Sequence, residues 1–202
     1  MTVDRPVIDW NYPEPRAGLA GALDKFFGPG TTRAEAWLQG IFAVAAGIAL
    51  PIYAALKGFD WTPLQYLVAT YLAFDLTGGI VTNATSSAKR WYHRQGQGFG
   101  SFLSFVALHA AYVFVVAWLF RSMDWAFFAA VSLCLLGAAY FVLKTPLYLQ
   151  RPLAFGLVVA SFGLGTYVFA PISGLEWFVP FLFLKLIVSY LLREEPYRPG
   201  GA

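Results

Sequence analysis

Charge, histidine and cysteine are all scarce in this chain, and each shortage removes a class of protein. Charged residues make up 12% of the 202, against about 25% in a soluble domain. So little charge leaves almost nothing from which to build a soluble domain, and one domain is expected. Cys134 is the only cysteine, so neither a disulfide nor a cysteine-based metal site can form within the chain. The two histidines, His93 and His109, are too few for the histidine-rich di-iron sites of membrane desaturases and hydroxylases. Net charge is only +3 and no dense basic stripe exists, which argues against nucleic acid as a partner.

What the chain does have is apolar surface in long blocks. Hydrophobic residues reach 58% and aromatic residues 18%, with a mean hydropathy of +0.60. The grouping into runs of membrane length, more than the average, points to an all-α polytopic membrane protein, a bundle of six transmembrane helices. The spans are placed at 35–57, 64–86, 102–120, 126–143, 153–172 and 178–192. The last is short against the usual requirement of about 20 residues. Residues 1–33 form an N-terminal segment, 34–192 the transmembrane domain and 193–202 a C-terminal tail.

The N-terminal segment is polar and proline-rich, unlike a secretory signal. Within it, Leu19, Leu23, Phe26 and Phe27 recur at helical spacing before a Gly28-Pro29-Gly30 stop. That pattern suits a helix lying in a membrane interface, and equally one packed on a neighbouring subunit. Orientation follows from Lys and Arg in the flanks. Arg5, Arg16, Lys25, Arg33, Lys89, Arg90, Arg94, Lys144, Arg151, Arg193 and Arg198 fall on one side, and only Lys57 and Arg121 on the other. Both termini are therefore expected in the cytoplasm, in a prokaryotic inner membrane.

The most informative stretch is 64–94. Read as one continuous helix, it brings Asp75, Gly79, Thr82, Asn83, Ser86, Arg90 and His93 within an arc of roughly 100°. Asp75 stands deep in its span, where an unpaired carboxylate is costly and must be protonated, paired or hydrated. His109 in the third span and Lys185 in the sixth lie at comparable depth, so either could partner it. Lys185 could instead snorkel to the interface, and each polar group could serve only as a hydrogen bond between helices. Lys89, Arg90, His93 and Arg94 read either as an ordinary positive-inside loop or as a cationic pocket for an anionic head group. Gly78 and Gly79 would let a helix or a ligand chain approach closely.

Size and six spans are similar to those of the CDP-alcohol phosphotransferases. The aspartate-rich metal motif of that family is absent, since Asp75 is followed by Leu-Thr-Gly-Gly. The leading expectation is an enzyme or binder acting on a lipid or other amphiphile at the cytoplasmic interface. Asp75 and His109 would be the acid–base pair, Asn83 an orienting hydrogen bonder, and Lys89, Arg90, His93, Arg94 and Lys185 ligand contacts. Two alternatives stand beside it: a small proton-coupled transporter or channel, with a path marked by the glycines of spans two and five, and an accessory subunit of a larger membrane complex. Membrane lipids, and a homo-oligomer or larger complex, are the expected partners. No cofactor is indicated, although Mg²⁺ on a carboxylate stays open.

Overall fold

The computed structural model describes residues 7–198; of the residues used above, Arg5 lies outside that range. Among the described residues the regular structure is helical apart from one pairing of two short strands. In order, these are β1 (Val7–Ile8), α1 (Gly18–Phe27), α2 (Arg33–Lys57), α3 (Pro63–Ala84), α4 (Ser86–Tyr92), α5 (Phe99–Leu108), α6 (Ala110–Phe120), α7 (Trp125–Lys144), α8 (Leu147–Gly163), α9 (Phe178–Phe183) and β2 (Tyr197–Arg198). π-helical turns extend α8 over Leu164–Val168 and α9 over Leu184–Tyr190.

The helix ends follow local sequence. Thr32 and Glu35 form a capping box at the start of α2, and Gly58 closes that helix in the left-handed region, where a Cβ would be strained. Thr62 and Gln65 form a second capping box, with Pro63 at the first helical position of α3. Asp124 caps α7 by accepting from the Phe127 amide at 2.9 Å.

Among the described residues five helical segments are long and apolar enough to cross a membrane: Arg33–Lys57, Pro63–Ala84, Phe99–Phe120, Trp125–Lys144 and Leu147–Val168. The sixth expected span is the shorter apolar helix Phe178–Tyr190. It reaches only about 20 Å at ordinary helical rise. Two expected boundaries move. The fifth helix starts at Leu147, six residues before the run at 153, because Pro146 sets its entry and Pro152 is accommodated in its second turn. The third is broken at His109, which separates α5 from α6.

α3 is the centre of the bundle, packed by α2, α6 and α9 with its π extension. The core gathers Leu72 and Leu76 of α3 with Val106, Val113, Leu135, Leu182, Leu186 and Ile187. α2 sits at the edge and leaves Trp37, Ile41, Ile48, Ile52 and Leu56 exposed. At one end of the bundle β1 pairs antiparallel with β2, Val7 opposite Arg198 and Ile8 opposite Tyr197. An Asp9–Arg198 ion pair at 2.5 Å continues the contact.

Candidate functional site

Asp75 and Lys185 form an ion pair across the bundle, from α3 to the π-helical turn that follows α9. The side chains are 19% and 6% exposed respectively. The sequence left pairing and snorkelling open for Lys185; it pairs. The two neighbouring glycines make this geometry available, each in its own direction. A Cβ on Gly79 would run into the Lys185 side chain near its Cε, so only glycine one turn beyond Asp75 lets that side chain lie across α3. A Cβ on Gly78 would stand 2.7 Å from the Ala43 Cβ, so this glycine sets how closely α2 approaches.

His109 borders the pair, and both Asp75 and Lys185 act on it electrostatically. Its Nδ1 lies 2.9 Å from the Phe105 carbonyl oxygen. A carbonyl can only accept, so Nδ1 donates, and in the neutral ring Nε2 keeps its lone pair. This bond also explains the break in the third helix. The ring takes the carbonyl that the His109 amide would have used, and that amide turns to Val106 instead. Tyr112, one turn on, packs its ring 5.1 Å from that of His109 and 5.6 Å from the Lys185 ammonium. Its hydroxyl meets that of Tyr71 at 2.9 Å. Tyr71 and Phe74 are exposed on the outer face of α3, so the cluster reaches the flank of the bundle beside Asp75.

The expected polar stripe does not run on from here as one face. Thr85 is extended (φ −71°, ψ 151°) and starts a new helix by accepting from the Ala88 amide. Helical geometry therefore stops before Ser86, and the basic residues of α4 are set by a different axis. Asn83 is buried, its Nδ2 has no hydrogen-bond partner, and it lies about 12 Å along the helix from Asp75.

The four basic residues after it separate. Lys89 is 2% exposed and donates to the carbonyls of Ser189 (2.7 Å) and Leu192 (2.6 Å), with Glu194 at 3.7 Å. Burial pulls its ammonium down to about 8, partly offset by Glu194. His93 donates from Nε2 to the Tyr190 carbonyl at 3.0 Å; burial and the nearby Lys89 charge hold it down to about 4, so the ring is neutral at pH 7. Together they satisfy three carbonyls left free where the last helix ends. Arg94 stacks 3.8 Å over the Trp91 ring and donates to the Trp91 carbonyl. Arg90 is buried, and its Nε and Nη1 have no hydrogen-bond partner.

Polar clefts open where these segments meet. One, of about 570 Å³, holds Lys89 with Arg151, Arg193, Glu194 and Glu195. A second, of about 420 Å³, holds His93 and Arg94 with Trp10, Tyr12 and Arg193. Read from the sequence, Tyr71 and Tyr112 carry no assigned role, and Arg151 and Arg193 serve only to set the orientation. The tyrosines were within reach, since Tyr71 stands four residues before Asp75 and Tyr112 three after His109, each on its neighbour's helix face. Among the described residues no group of three or more His, Cys, Asp or Glu side chains could hold a metal ion. No family model, curated protein or solved structure matches this chain.

Proposed function

We propose that the chain is a membrane protein of six spans with both terminal segments in the cytoplasm, and that it binds or transforms an amphiphile at the cytoplasmic interface. The observation that carries this reading is the Asp75–Lys185 pair with His109 and the Tyr71–Tyr112 hydroxyls beside it, open to the flank of the bundle. A carboxylate, an ammonium and an imidazole with a free nitrogen form a proton-transfer set, and it lies where a lipid can reach it sideways. The terminal strand pairing supports the six spans. Ends that meet at one end of a bundle need an even number of crossings, which five long helices reach only if Phe178–Tyr190 also crosses. The basic flanks favour the cytoplasm for that end.

Topology is tested by labelling in intact cells with a membrane-impermeant maleimide, in a Cys134→Ser background. Ser122→Cys should label from outside and Gln95→Cys only after lysis; the reverse result sinks the orientation. Function is tested by mass-spectrometric lipid profiles of cells carrying the wild type, Asp75→Asn or His109→Ala. A species that changes with wild type but with neither variant is expected. Identical profiles in all three would leave the enzymatic reading without support. Proton-coupled flux lost with Asp75→Asn would favour the transporter instead. Of the glycines expected to mark its path, Gly79 faces Lys185 and Gly165 faces Val179 at close range, whereas a Cβ on Gly156 or Gly163 would meet nothing within 4 Å.

A further inference from the structure

We propose that the cleft between the α3–α4 junction, the start of α8 and the C-terminal segment binds a head group carrying both a phosphate and an amine, with its attached chain along the exposed face of α8. This rests on reading that end of the bundle as the cytoplasmic interface. The cleft, about 570 Å³, falls within the roughly 300–1,000 Å³ usual for small-molecule sites. Its lining mixes both charge signs, and the charges are unequally engaged. Lys89 is committed to the carbonyls of the last helix. Arg151 forms no ion pair among the described residues, and neither does Arg193, whose guanidinium lies 4.8 Å over the Trp10 ring. Glu194 pairs with Lys89 at 3.7 Å, and Glu195 accepts from the Tyr197 hydroxyl at 3.1 Å through one oxygen and forms no ion pair among the described residues.

Arg151, unpaired among the described residues and lining this cleft, suits a phosphate, which a guanidinium can hold with paired N–H donors, and Arg193 borders the cleft with its own guanidinium over Trp10 of the second one. Glu195, in the same lining, suits an ammonium. A simple anion would face that carboxylate, and a simple cation would face the arginines. One ligand with both groups answers both sets.

The chain follows from the helix that carries Arg151. At 100° per residue, Tyr148, Arg151, Phe155, Val159 and Phe162 fall within about 80° of arc, and all are exposed. The charged head of this stripe sits in the cleft, and the apolar remainder runs on for about 16 Å. That matches half of a hydrocarbon core roughly 30 Å thick.

The test is native mass spectrometry of the full chain released from detergent, offered phosphatidylethanolamine, phosphatidylglycerol or soluble phosphoethanolamine at equal concentration. Retention of phosphatidylethanolamine at least tenfold above phosphatidylglycerol is expected. Arg151→Gln with Arg193→Gln should lower retention of both lipids at least tenfold, and Glu194→Gln with Glu195→Gln should erase the preference between them. Arg151→Gln alone, at an exposed position, keeps the question answerable if the double variant misfolds, and should still lower retention. Equal retention of the two lipids by the wild type, or retention that ignores the arginines, overturns the proposal. Phosphoethanolamine held as tightly as the lipid would overturn the chain track and assign the site to a soluble ligand. Asp75→Asn should leave retention unchanged, so failure of the cleft is separable from failure of the Asp75 reading.

Discussion

Two lysines are buried in this protein, and they are stabilised in different ways. Lys185, in the middle of the bundle, is met by the carboxylate of Asp75. Lys89, at the end of the bundle, is met by backbone carbonyls of the last helix, with Glu194 farther off. Inside a helix every backbone group is already spent, so a buried cation there needs an opposite charge. At a helix C-terminus the free carbonyls and the negative end of the macrodipole serve instead. The contrast separates candidate chemistry from architecture. An ion pair in a helical interior is a functional hypothesis, whereas a lysine on a helix end is a cap.

The largest effect should come from splitting the pair. Lys185→Met leaves an unpaired buried carboxylate and should cost about 3–5 kcal/mol, read as thermal unfolding in detergent. Adding Asp75→Leu should recover most of that stability without restoring function. A double variant as unstable as the single one would mean that the pair is not what Lys185→Met breaks.

Next is the pH dependence of the capped end. The His93 imidazole sits at about 4 when folded, against an ordinary value of 6.5. Between those values the unfolded chain binds the extra proton, so stability should fall as pH drops from 6.5 to 4, by up to about 3 kcal/mol. His93→Gln, which can still donate to the Tyr190 carbonyl but cannot titrate, should flatten that slope. A slope that persists in the variant assigns it to other groups. The smallest effect expected is from Lys89→Met, about 2 kcal/mol, the range for hydrogen bonds that involve a charged group. A loss equal to that of Lys185→Met would erase the distinction drawn between the two lysines.

Most of the helices were legible because an apolar run of membrane length declares itself without reference to the rest of the chain. The break after Asn83-Ala84 was legible too: Thr85-Ser86-Ser87 is N-cap sequence, and Thr85 is used as such. The stripe from Asp75 to His93 required helical geometry to persist past Ser86, and the capping chemistry of Thr85 ends it. The fate of Lys89 and His93 could not be read locally. It depends on carbonyls about a hundred residues later, exposed only because the last helix ends beside α4. The widened turns at Leu164–Val168 and Leu184–Tyr190 carry no distinctive residue that would have announced them. For Asp75 the sequence narrowed the partner to His109 or Lys185, and packing made Lys185 the ion-pair partner while leaving His109 alongside.

The pairing of Val7–Ile8 with Tyr197–Arg198 carries a consequence for biogenesis. Its second strand leaves the ribosome only after the apolar helices described above have been made, so this contact cannot form on a chain still missing them. Its closure joins residues about 190 positions apart, among the most entropically costly contacts to form early. The clasp is therefore a late event, open to the chain only after the apolar helices have been made. A nascent chain stalled before β2 should present an open, protease-sensitive N-terminal segment until β2 arrives.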